Sequence, residues 1–428
     1  MALEAALPTG RRSRLWQLLG PGLITGASDD DPSGIATYCQ AGAQLGYGIS
    51  WVMLFTYPLM TVTQEISARI GRVTGDGIAG NMRRHYSPWL LQSVVGLLLL
   101  ANVINLGADL SAMGEATRLL VGGPTEIYIV AFTVVCAGAQ IFFDYARYVS
   151  ILKWSTLSLF AYFGVLMAIR IPWGEVAYHL VVPSLALDAG FVTTLVAVLG
   201  TTISPYLFFW QSSQEAEDIR EDPKRDPLVK APAQARGAFG RIRIDTYLGM
   251  ALSNLVGLAI IVTAAATLNA SGATTVETAT QAAEALRPLA GPFAFALFAM
   301  GIIATGMLAV PVLAGSAAYA ISEACNWPVG LGRRPAKARA FYGAVAVATF
   351  VGAGIAFSPI DPIRALYWSA VVNGVISAPV MAAIMALASR RKVMGRFTLP
   401  LWLTLLGWLT AGVMALSSGT FLILALVP

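Results

Sequence analysis

The chain has 428 residues, of which 57% are hydrophobic and only 12% are charged. Soluble globular proteins carry about twice that charged fraction, so the composition excludes a soluble protein and indicates a membrane protein. The net charge is +5, and the sequence has no cofactor motif, no nucleophile–base constellation and no His/Cys cluster with zinc spacing. We therefore expect neither an enzyme nor a resident cofactor.

Apolar windows of about 20 residues recur along the whole chain, and each is long enough to cross a bilayer as a helix. We count eleven, centred near residues 23, 54, 99, 134, 159, 198, 255, 304, 347, 375 and 411. The pattern predicts an all-α polytopic membrane protein, with residues 1–428 forming a single membrane domain. The first window contains charged residues and lacks a small-residue cleavage site, so we expect it to remain as a helix.

Basic residues predict the orientation of these helices. With a cytoplasmic N-terminus, 24 of the 28 Lys and Arg fall on the cytoplasmic side. The other four are Arg118, Arg170, Arg287 and Arg364. This asymmetry predicts an integral protein of the cell membrane, the inner membrane in a bacterium, with its C-terminus outside the cytoplasm. The positive charge is expected to meet an anionic lipid leaflet, not nucleic acid.

Three consecutive carboxylates lie in the first predicted span. Asp29, Asp30 and Asp31 run directly into Pro32-Ser33-Gly34. A carboxylate in a membrane segment is costly and usually serves a cation or a proton. Proline and glycine directly after it break the helix and free backbone carbonyls that can bind a cation. The motif therefore predicts a cation-transport site.

Acidic residues in the second and third spans have less specific interpretations. Glu65 and Arg69 are four residues apart, which favours an ion pair within one helix, with a vestibule carboxylate as the alternative. Asp109 is predicted to hydrogen-bond within the helix bundle, and Glu115 to lie near the outer face and Arg118. The isolated cysteines Cys39, Cys136 and Cys325 are predicted to be buried.

The sixth span, like the first, has polar residues directly before a proline. Small polar residues, Thr201 and Ser204 among them, come directly before Pro205 in the middle of an apolar segment. Two broken helices five spans apart predict an inverted repeat with the transported substrate between the breaks. We place the repeats at about residues 15–175 and 188–392, with an extra helix at about 397–427. The alternative is a pair of ordinary proline kinks.

At these motifs the sequence resembles the NRAMP family of divalent-metal transporters (natural-resistance-associated macrophage proteins). The matching segments are Gly20-Pro21-Gly22, Asp31-Pro32-Ser33-Gly34, Gln40-Ala41-Gly42-Ala43, Ser204-Pro205-Tyr206, Arg243-Ile244-Asp245-Thr246 and Asp361-Pro362-Ile363-Arg364-Ala365-Leu366. The resemblance covers about residues 17 to 425. It implies a LeuT-like fold of eleven helices, with helices 1 and 6 broken, and transport by alternating access.

The chain departs from the family at the metal ligands. In the family these come from an Asp and an Asn of the first motif, a Met of the second and a Gln of the tenth helix. The matching positions here are Asp31, Gly34, Ser204 and Ala370. Loss of the soft thioether and gain of space favour a hard ion that keeps part of its water, such as Mg²⁺. The chain thus looks most like the NRAMP-related magnesium transporter branch, whose members carry Mg²⁺ and Mn²⁺.

Proton coupling is the second departure. The two histidine positions of the family's sixth helix are Tyr206 and Gln211 here, and neither residue titrates near neutral pH. On the third helix Asp109 is retained, but Ala112 replaces a family Glu. We therefore expect transport driven by the membrane potential and not coupled to protons.

The candidate ion-binding residues come from both breaks and from the tenth helix. They are Asp31, Ser28, Gly34, Thr201, Ser204, Asp30 and Asn373. Asp31 is expected to supply the charge, Asp30 a more distant contact, and Asn373 a contact to the ion's water shell. Two alternatives stay open, a proton-coupled Mn²⁺/Fe²⁺ symporter and a sodium-coupled symporter of an organic solute. The expected partners are the divalent ion and the lipid bilayer, with the protein as a monomer.

Overall fold

The computed structural model describes residues 25–26, 28–142, 159–186 and 188–426. Within these ranges the secondary structure is helical, with no strand. Helices α1 to α17 are, in chain order, Pro32–Leu45, Trp51–Thr74, Ile78–His85, Pro88–Val121, Thr125–Phe142, Phe160–Ala168, Trp173–Val181, Ala189–Thr202, Pro205–Glu221, Ala235–Thr267, Ala279–Glu284, Arg287–Ala290, Ala294–Ala324, Arg339–Ala356, Pro362–Ala388, Arg391–Met394 and Leu401–Leu426. The all-α architecture is confirmed.

Nine of the eleven predicted spans coincide with described helices. Eight of them are long and apolar enough to cross a membrane. One of the eight is formed by α8 and α9 together, and the other seven contain the long helices α4, α5, α10, α13, α14, α15 and α17. The helix α2 passes the same test together with α1, to which it is bent by 110°. The first and fifth predicted spans, near residues 23 and 159, lie partly outside the described residues. The repeat boundaries remain predictions.

Both predicted helix breaks are present, and they share one local structure. Asp31 is extended (φ −69°, ψ 170°) and precedes α1, which begins at Pro32. Ser204 is also extended (φ −80°, ψ 130°) and precedes α9, which begins at Pro205. Proline disfavours helical geometry in the residue before it but suits the first position of a helix. Each X-Pro pair therefore ends one helical segment and starts another in mid-membrane.

Close backbone approaches through glycine hold the broken helices against their neighbours. A Cβ atom at Gly200 of α8 would lie 2.0 Å from the carbonyl oxygen of Ala370 on α15. A Cβ atom at Gly42 of α1 would lie 2.3 Å from the carbonyl oxygen of Ile261 on α10. Small residues at such crossings let membrane helices approach closely. They place α1 and α8 in the middle of the bundle.

A charged network ties the helices together at the end of the bundle that is rich in arginine. The predicted ion pair between Glu65 and Arg69 is confirmed, with 2.6 Å between Oε1 and Nη2. Glu65 also accepts from Arg243 Nε (3.0 Å) and from the Tyr247 hydroxyl (2.8 Å), both on α10. One buried carboxylate thus joins α2 to α10 as well as bridging one turn of its own helix.

Of the other residues discussed from the sequence, some lie where we expected and others do not. Glu115 pairs with Arg118 near the end of α4, as expected. Cys39 and Cys136 are buried, but Cys325 is exposed, because it follows the last residue of α13. The aromatic run Phe208-Phe209-Trp210 is fully buried and packs against neighbouring helices, not lipid.

Candidate metal-binding site

Asp31 is the centre of the site and is held by donors from three helices. Its Oδ1 accepts from the Gly34 amide (2.7 Å) and the Ser33 hydroxyl (2.9 Å), both at the start of α1. Its Oδ2 accepts from Asn105 Nδ2 on α4 (2.9 Å) and from the Tyr206 hydroxyl on α9 (3.4 Å). The carboxylate is 2% exposed. Asp31 therefore caps α1 and is also fixed in orientation at the centre of the bundle.

Ser28 lies beside Asp31 and is joined to it through Tyr206. The Tyr206 hydroxyl has one hydrogen, which it shares between the Ser28 carbonyl oxygen (3.0 Å) and Asp31 Oδ2 (3.4 Å), so it links the segment before the break to the Asp31 side chain. The Ser28 hydroxyl is buried and has no hydrogen-bond partner among the described residues. Ser28 thus retains one oxygen that is free to contact an ion.

Gly34 brings the two helix breaks together. A Cβ atom at Gly34 would lie 3.1 Å from the Thr201 hydroxyl oxygen and 3.5 Å from Asp31 Oδ1. Thr201 belongs to the last turn of α8, immediately before the second break. The absence of a side chain at Gly34 therefore lets the two breaks approach closely, with oxygen atoms from both of them around this residue.

Ser204 lies at the second break, but its hydrogen is directed into the preceding turn. Its hydroxyl lies 2.8 Å from the Gly200 carbonyl oxygen and 2.9 Å from that of Thr201. Such bonding to the preceding turn is common for serine in membrane helices. The Ser204 oxygen keeps its lone pairs for an ion, while the Thr201 carbonyl is already engaged.

Asn373 on α15 faces the second break. Its side-chain nitrogen and oxygen are both buried without a partner in the described part of the chain. One turn later, the Ser377 hydroxyl donates to the Ile203 carbonyl (2.7 Å), which lies within the break itself. This face of α15 therefore borders the break and presents an unsatisfied amide there.

Asp109 contradicts the expectation of a hydrogen bond within the bundle. The residue is fully buried on α4, and neither carboxylate oxygen has a partner in the ranges that the structure describes. The prediction was wrong because the neighbouring polar residue of α4, Asn105, is directed to Asp31 instead. Asp109 remains a buried carboxyl group that no donor satisfies.

The other two carboxylates of the motif face a different helix from Asp31. Asp29 Oδ2 and Asp30 Oδ1 lie 2.6 Å and 3.1 Å from the hydroxyl oxygen of Ser253 on α10. Consecutive residues of a helix point about 100° apart, so three adjacent carboxylates cannot all face one point. Within the described residues, no group of three or more His, Cys, Asp or Glu side chains is arranged to hold one metal ion.

Sequence reasoning missed the residues that hold Asp31. Asn105 donates to Asp31 and in turn accepts from the Ser369 hydroxyl on α15 (2.7 Å). A signal was present, because Asn102, Asn105 and Asp109 recur every three to four residues in an apolar helix. Polar side chains at that spacing occupy one face of a membrane helix, and that face points to the bundle interior.

The chain matches the family described as natural resistance-associated macrophage protein-like (Nramp) over residues 22–424. It is 28% identical over 411 residues to the divalent metal cation transporter MntH of Burkholderia ambifaria, covering 93% of this chain and 87% of that protein. It is 30% identical over 312 residues to MntH of Ralstonia nicotianae, covering 72% and 68%.

Solved structures show the same fold. The Eremococcus coleocola manganese transporter superposes with a TM-score of 0.72 at 18% identity, over 97% of this chain and 88% of that one. The nucleobase-cation-symport-1 family transporter Mhp1 superposes with a TM-score of 0.50 at 16% identity, over 95% and 93%. At these identities the likeness concerns the fold, and the LeuT-like architecture expected from the sequence is confirmed.

Proposed function

Because this chain belongs to the natural resistance-associated macrophage protein-like (Nramp) family, we propose that it carries divalent metal ions across a membrane by alternating access. The observation that carries the proposal is the meeting of the two helix breaks at Asp31, Gly34 and Thr201. A fixed, buried carboxylate lies there close to oxygen atoms of the second break. The helices α1 and α9 both begin at these breaks.

The preferred ion is Mg²⁺, and Mn²⁺ is also accepted. Asp31, Ser28, Thr201 and Ser204 offer carboxylate and hydroxyl oxygens, which suit hard ions. Mg²⁺ dehydrates reluctantly and keeps several waters, and this chain has the small residues Gly34, Ser204 and Ala370 at the three positions where the family has Asn, Met and Gln. Asn373 can bind one of these waters, because both polar atoms of its side chain lack a partner among the described residues.

Transport is driven by the membrane potential without protons. Tyr206 is engaged with Ser28 and Asp31, and Gln211 accepts from the Thr25 hydroxyl (2.5 Å), so neither side chain acts as a proton carrier. One observation favours the alternative of a proton-coupled Mn²⁺/Fe²⁺ symporter. The buried Asp109, whose oxygens lack donors in the described ranges, could hold a proton.

The protein lies in the cell membrane as a monomer with its arginine-rich end in the cytoplasm. Arg69, Arg241 and Arg243 gather at that end, in keeping with the positive-inside rule. The N-terminus is then cytoplasmic and the C-terminus extracytoplasmic.

The test is Mg²⁺ influx into liposomes that contain the purified protein, a trapped Mg²⁺ indicator and, in parallel, an internal pH dye. Wild-type protein is expected to admit Mg²⁺ without acidification, and Asp31→Ala to abolish the influx. Glu284→Gln, which alters an exposed ion pair with Arg287, is the matched control and is expected to transport normally.

The outcomes separate the candidate functions. Mn²⁺ flux with acidification and no Mg²⁺ flux would establish the proton-coupled symporter instead. Flux of neither ion, with a strict Na⁺ requirement for an organic solute, would establish the sodium-coupled symporter. Ser204→Met tests the preference, because a thioether at the second break is expected to favour Mn²⁺ over Mg²⁺.

A further inference from the structure

Asp29 and Asp30 form an acidic pair that is separate from Asp31. Both carboxylates approach one atom, the Ser253 hydroxyl oxygen on α10, at 2.6 Å and 3.1 Å. The Asp31 carboxylate instead accepts from Asn105 and Tyr206 on other helices. The motif therefore presents negative charge to two different walls of the bundle.

A single hydroxyl group cannot satisfy this pair. The Ser253 hydroxyl has one hydrogen, so it cannot give each of the two carboxylates a full hydrogen bond. Asp29 Oδ1 has no partner in the described part of the chain, and Asp29 and Asp30 are 0% and 5% exposed. The ion pairs that the described residues form include no Arg or Lys within 4 Å of either residue. Buried ionised carboxylates without a counter-charge are strongly destabilising, so the pair needs either a bound proton or a cation.

Two close contacts along α10 show that a further side chain, that of Tyr38 on α1, lies near Asp29, Asp30 and Ser253. A Cβ atom at Gly26 would lie 2.4 Å from the Gly249 carbonyl carbon, and one at Gly257 would lie 2.9 Å from the Tyr38 ring. Both segments advance in the same direction, and Ser253 lies one turn before Gly257. The pair and Ser253 therefore lie between these two contact points.

The Tyr38 hydroxyl is directed into the same space. Side chains of a helix point back towards its N-terminus, so the Tyr38 ring leads from its contact at Gly257 towards Ser253 and the acidic pair. Tyr38 is 0% exposed, and its hydroxyl has no hydrogen-bond partner among the described residues. A buried phenol oxygen without a partner is the second sign, beside the carboxylates, that a ligand belongs here.

We propose that Asp29, Asp30, Ser253 and Tyr38 form a second binding site for a hard divalent cation, between α1 and α10 and in series with Asp31. Carboxylate and hydroxyl oxygens suit such an ion, and two carboxylates match its charge. This site rests on the proposed function and deepens it, because two ions on one pathway repel each other and speed release. The family's ligand positions at the first break, Asp31 and Gly34, are not part of this site.

The test counts bound Mn²⁺ on the purified full-length protein by equilibrium dialysis, with electron paramagnetic resonance to separate bound from free ion. The wild-type protein is expected to bind two Mn²⁺ per chain. Asp31→Asn and the double substitution Asp29→Asn with Asp30→Asn are each expected to bind one. Excess Mg²⁺ is expected to displace both ions.

Two milder variants keep the test decisive if the double variant fails to fold. Ser253→Ala and Tyr38→Phe each remove one hydroxyl, and each is expected to weaken one of the two Mn²⁺ affinities tenfold or more while sparing the other. Glu284→Gln is the control for the loss of a carboxylate elsewhere.

The results separate failure of this site from failure of the proposed function. One Mn²⁺ per wild-type chain, with affinity unchanged by Ser253→Ala and Tyr38→Phe, would overturn the second site while loss of binding in Asp31→Asn still supports the carrier. Binding that is insensitive to Asp31→Asn would instead overturn the assignment of Asp31.

Discussion

Asn105 fixes the orientation of the Asp31 carboxylate, and its removal is expected to weaken ion binding. It donates to Asp31 Oδ2 at 2.9 Å and is itself fixed by the Ser369 hydroxyl at 2.7 Å. A hydrogen bond to a charged group contributes about 1.5–3 kcal/mol. If about half of that loss appears in binding, Asn105→Ala raises the KM for Mg²⁺ by about three- to tenfold. The measurement is initial influx against Mg²⁺ concentration.

Asn102 supplies the matched control for this prediction. It lies one turn earlier on α4 and donates to the Leu313 carbonyl oxygen (3.0 Å), not to the site. Asn102→Ala and Asn105→Ala are both expected to lower the melting temperature, but only Asn105→Ala is expected to change KM. Equal changes in KM for the two variants would show that Asn105 acts only through stability.

The sequence predicted which polar residues lie at the two helix breaks but not their orientation. Asp31 and Thr201 were found because charge and small polar residues stand out in apolar helices, and the structure places both beside Gly34. The direction of the Ser204 hydroxyl and the partners of Asp109 depend on how helices are rotated against each other. Hydropathy does not determine that rotation, so these details required the structure.

The crossing of α8 and α15 is expected to tolerate no side chain at Gly200. A Cβ atom there would lie 2.0 Å from the Ala370 carbonyl oxygen and 2.4 Å from the Gly374 amide nitrogen. Backbone atoms cannot move aside as a flexible side chain can, so Gly200→Ala is expected to cost about 1–3 kcal/mol. Because α8 carries Thr201, Mg²⁺ influx is expected to fall as well.

Gly412 provides a control that separates the effect of helix packing from the effect of helix propensity. Gly412 lies in α17, and no described atom outside its own helix lies within 4 Å of the position that its Cβ atom would take. Gly412→Ala is expected to leave the melting temperature unchanged or raise it, since alanine favours a helix. Melting curves of the two variants in detergent test the prediction. A similar melting temperature for both would mean that the crossing relaxes.

Helices were easier to predict than their contacts. Apolar length alone placed nine of the eleven spans, and X-Pro pairs placed both breaks to the residue. The burial of Phe208, Phe209 and Trp210 could not be predicted, because aromatic residues suit lipid and helix interfaces equally. Which face of a membrane helix meets protein depends on small residues of its neighbours, such as Gly315 against the Trp210 ring.

Charged side chains are distributed unevenly over the molecule. Asp29, Asp30, Asp31 and Asp109 are 0 to 5% exposed, and they take no part in the ion pairs within 4 Å that the described residues form. Arginine partners gather instead at the ends of the bundle, as at Glu65 and Glu115. A bundle centre that is acidic and, among the described residues, has no ion-pair partner attracts mobile cations. This distribution makes the transported ion itself the counter-charge.

Net movement of two charges per transport cycle is therefore expected. At 100 mV the membrane potential contributes about 2.3 kcal/mol per charge, or about 4.6 kcal/mol for a divalent ion, which corresponds to about a two-thousandfold accumulation. Potassium-loaded liposomes with valinomycin set the potential, and steady-state Mg²⁺ is measured at several external potassium concentrations. Accumulation is expected to change tenfold for each ~30 mV and to be the same with or without a pH gradient. A steeper dependence that follows the pH gradient would require protons to move with the metal, which would assign Asp109 the coupling role.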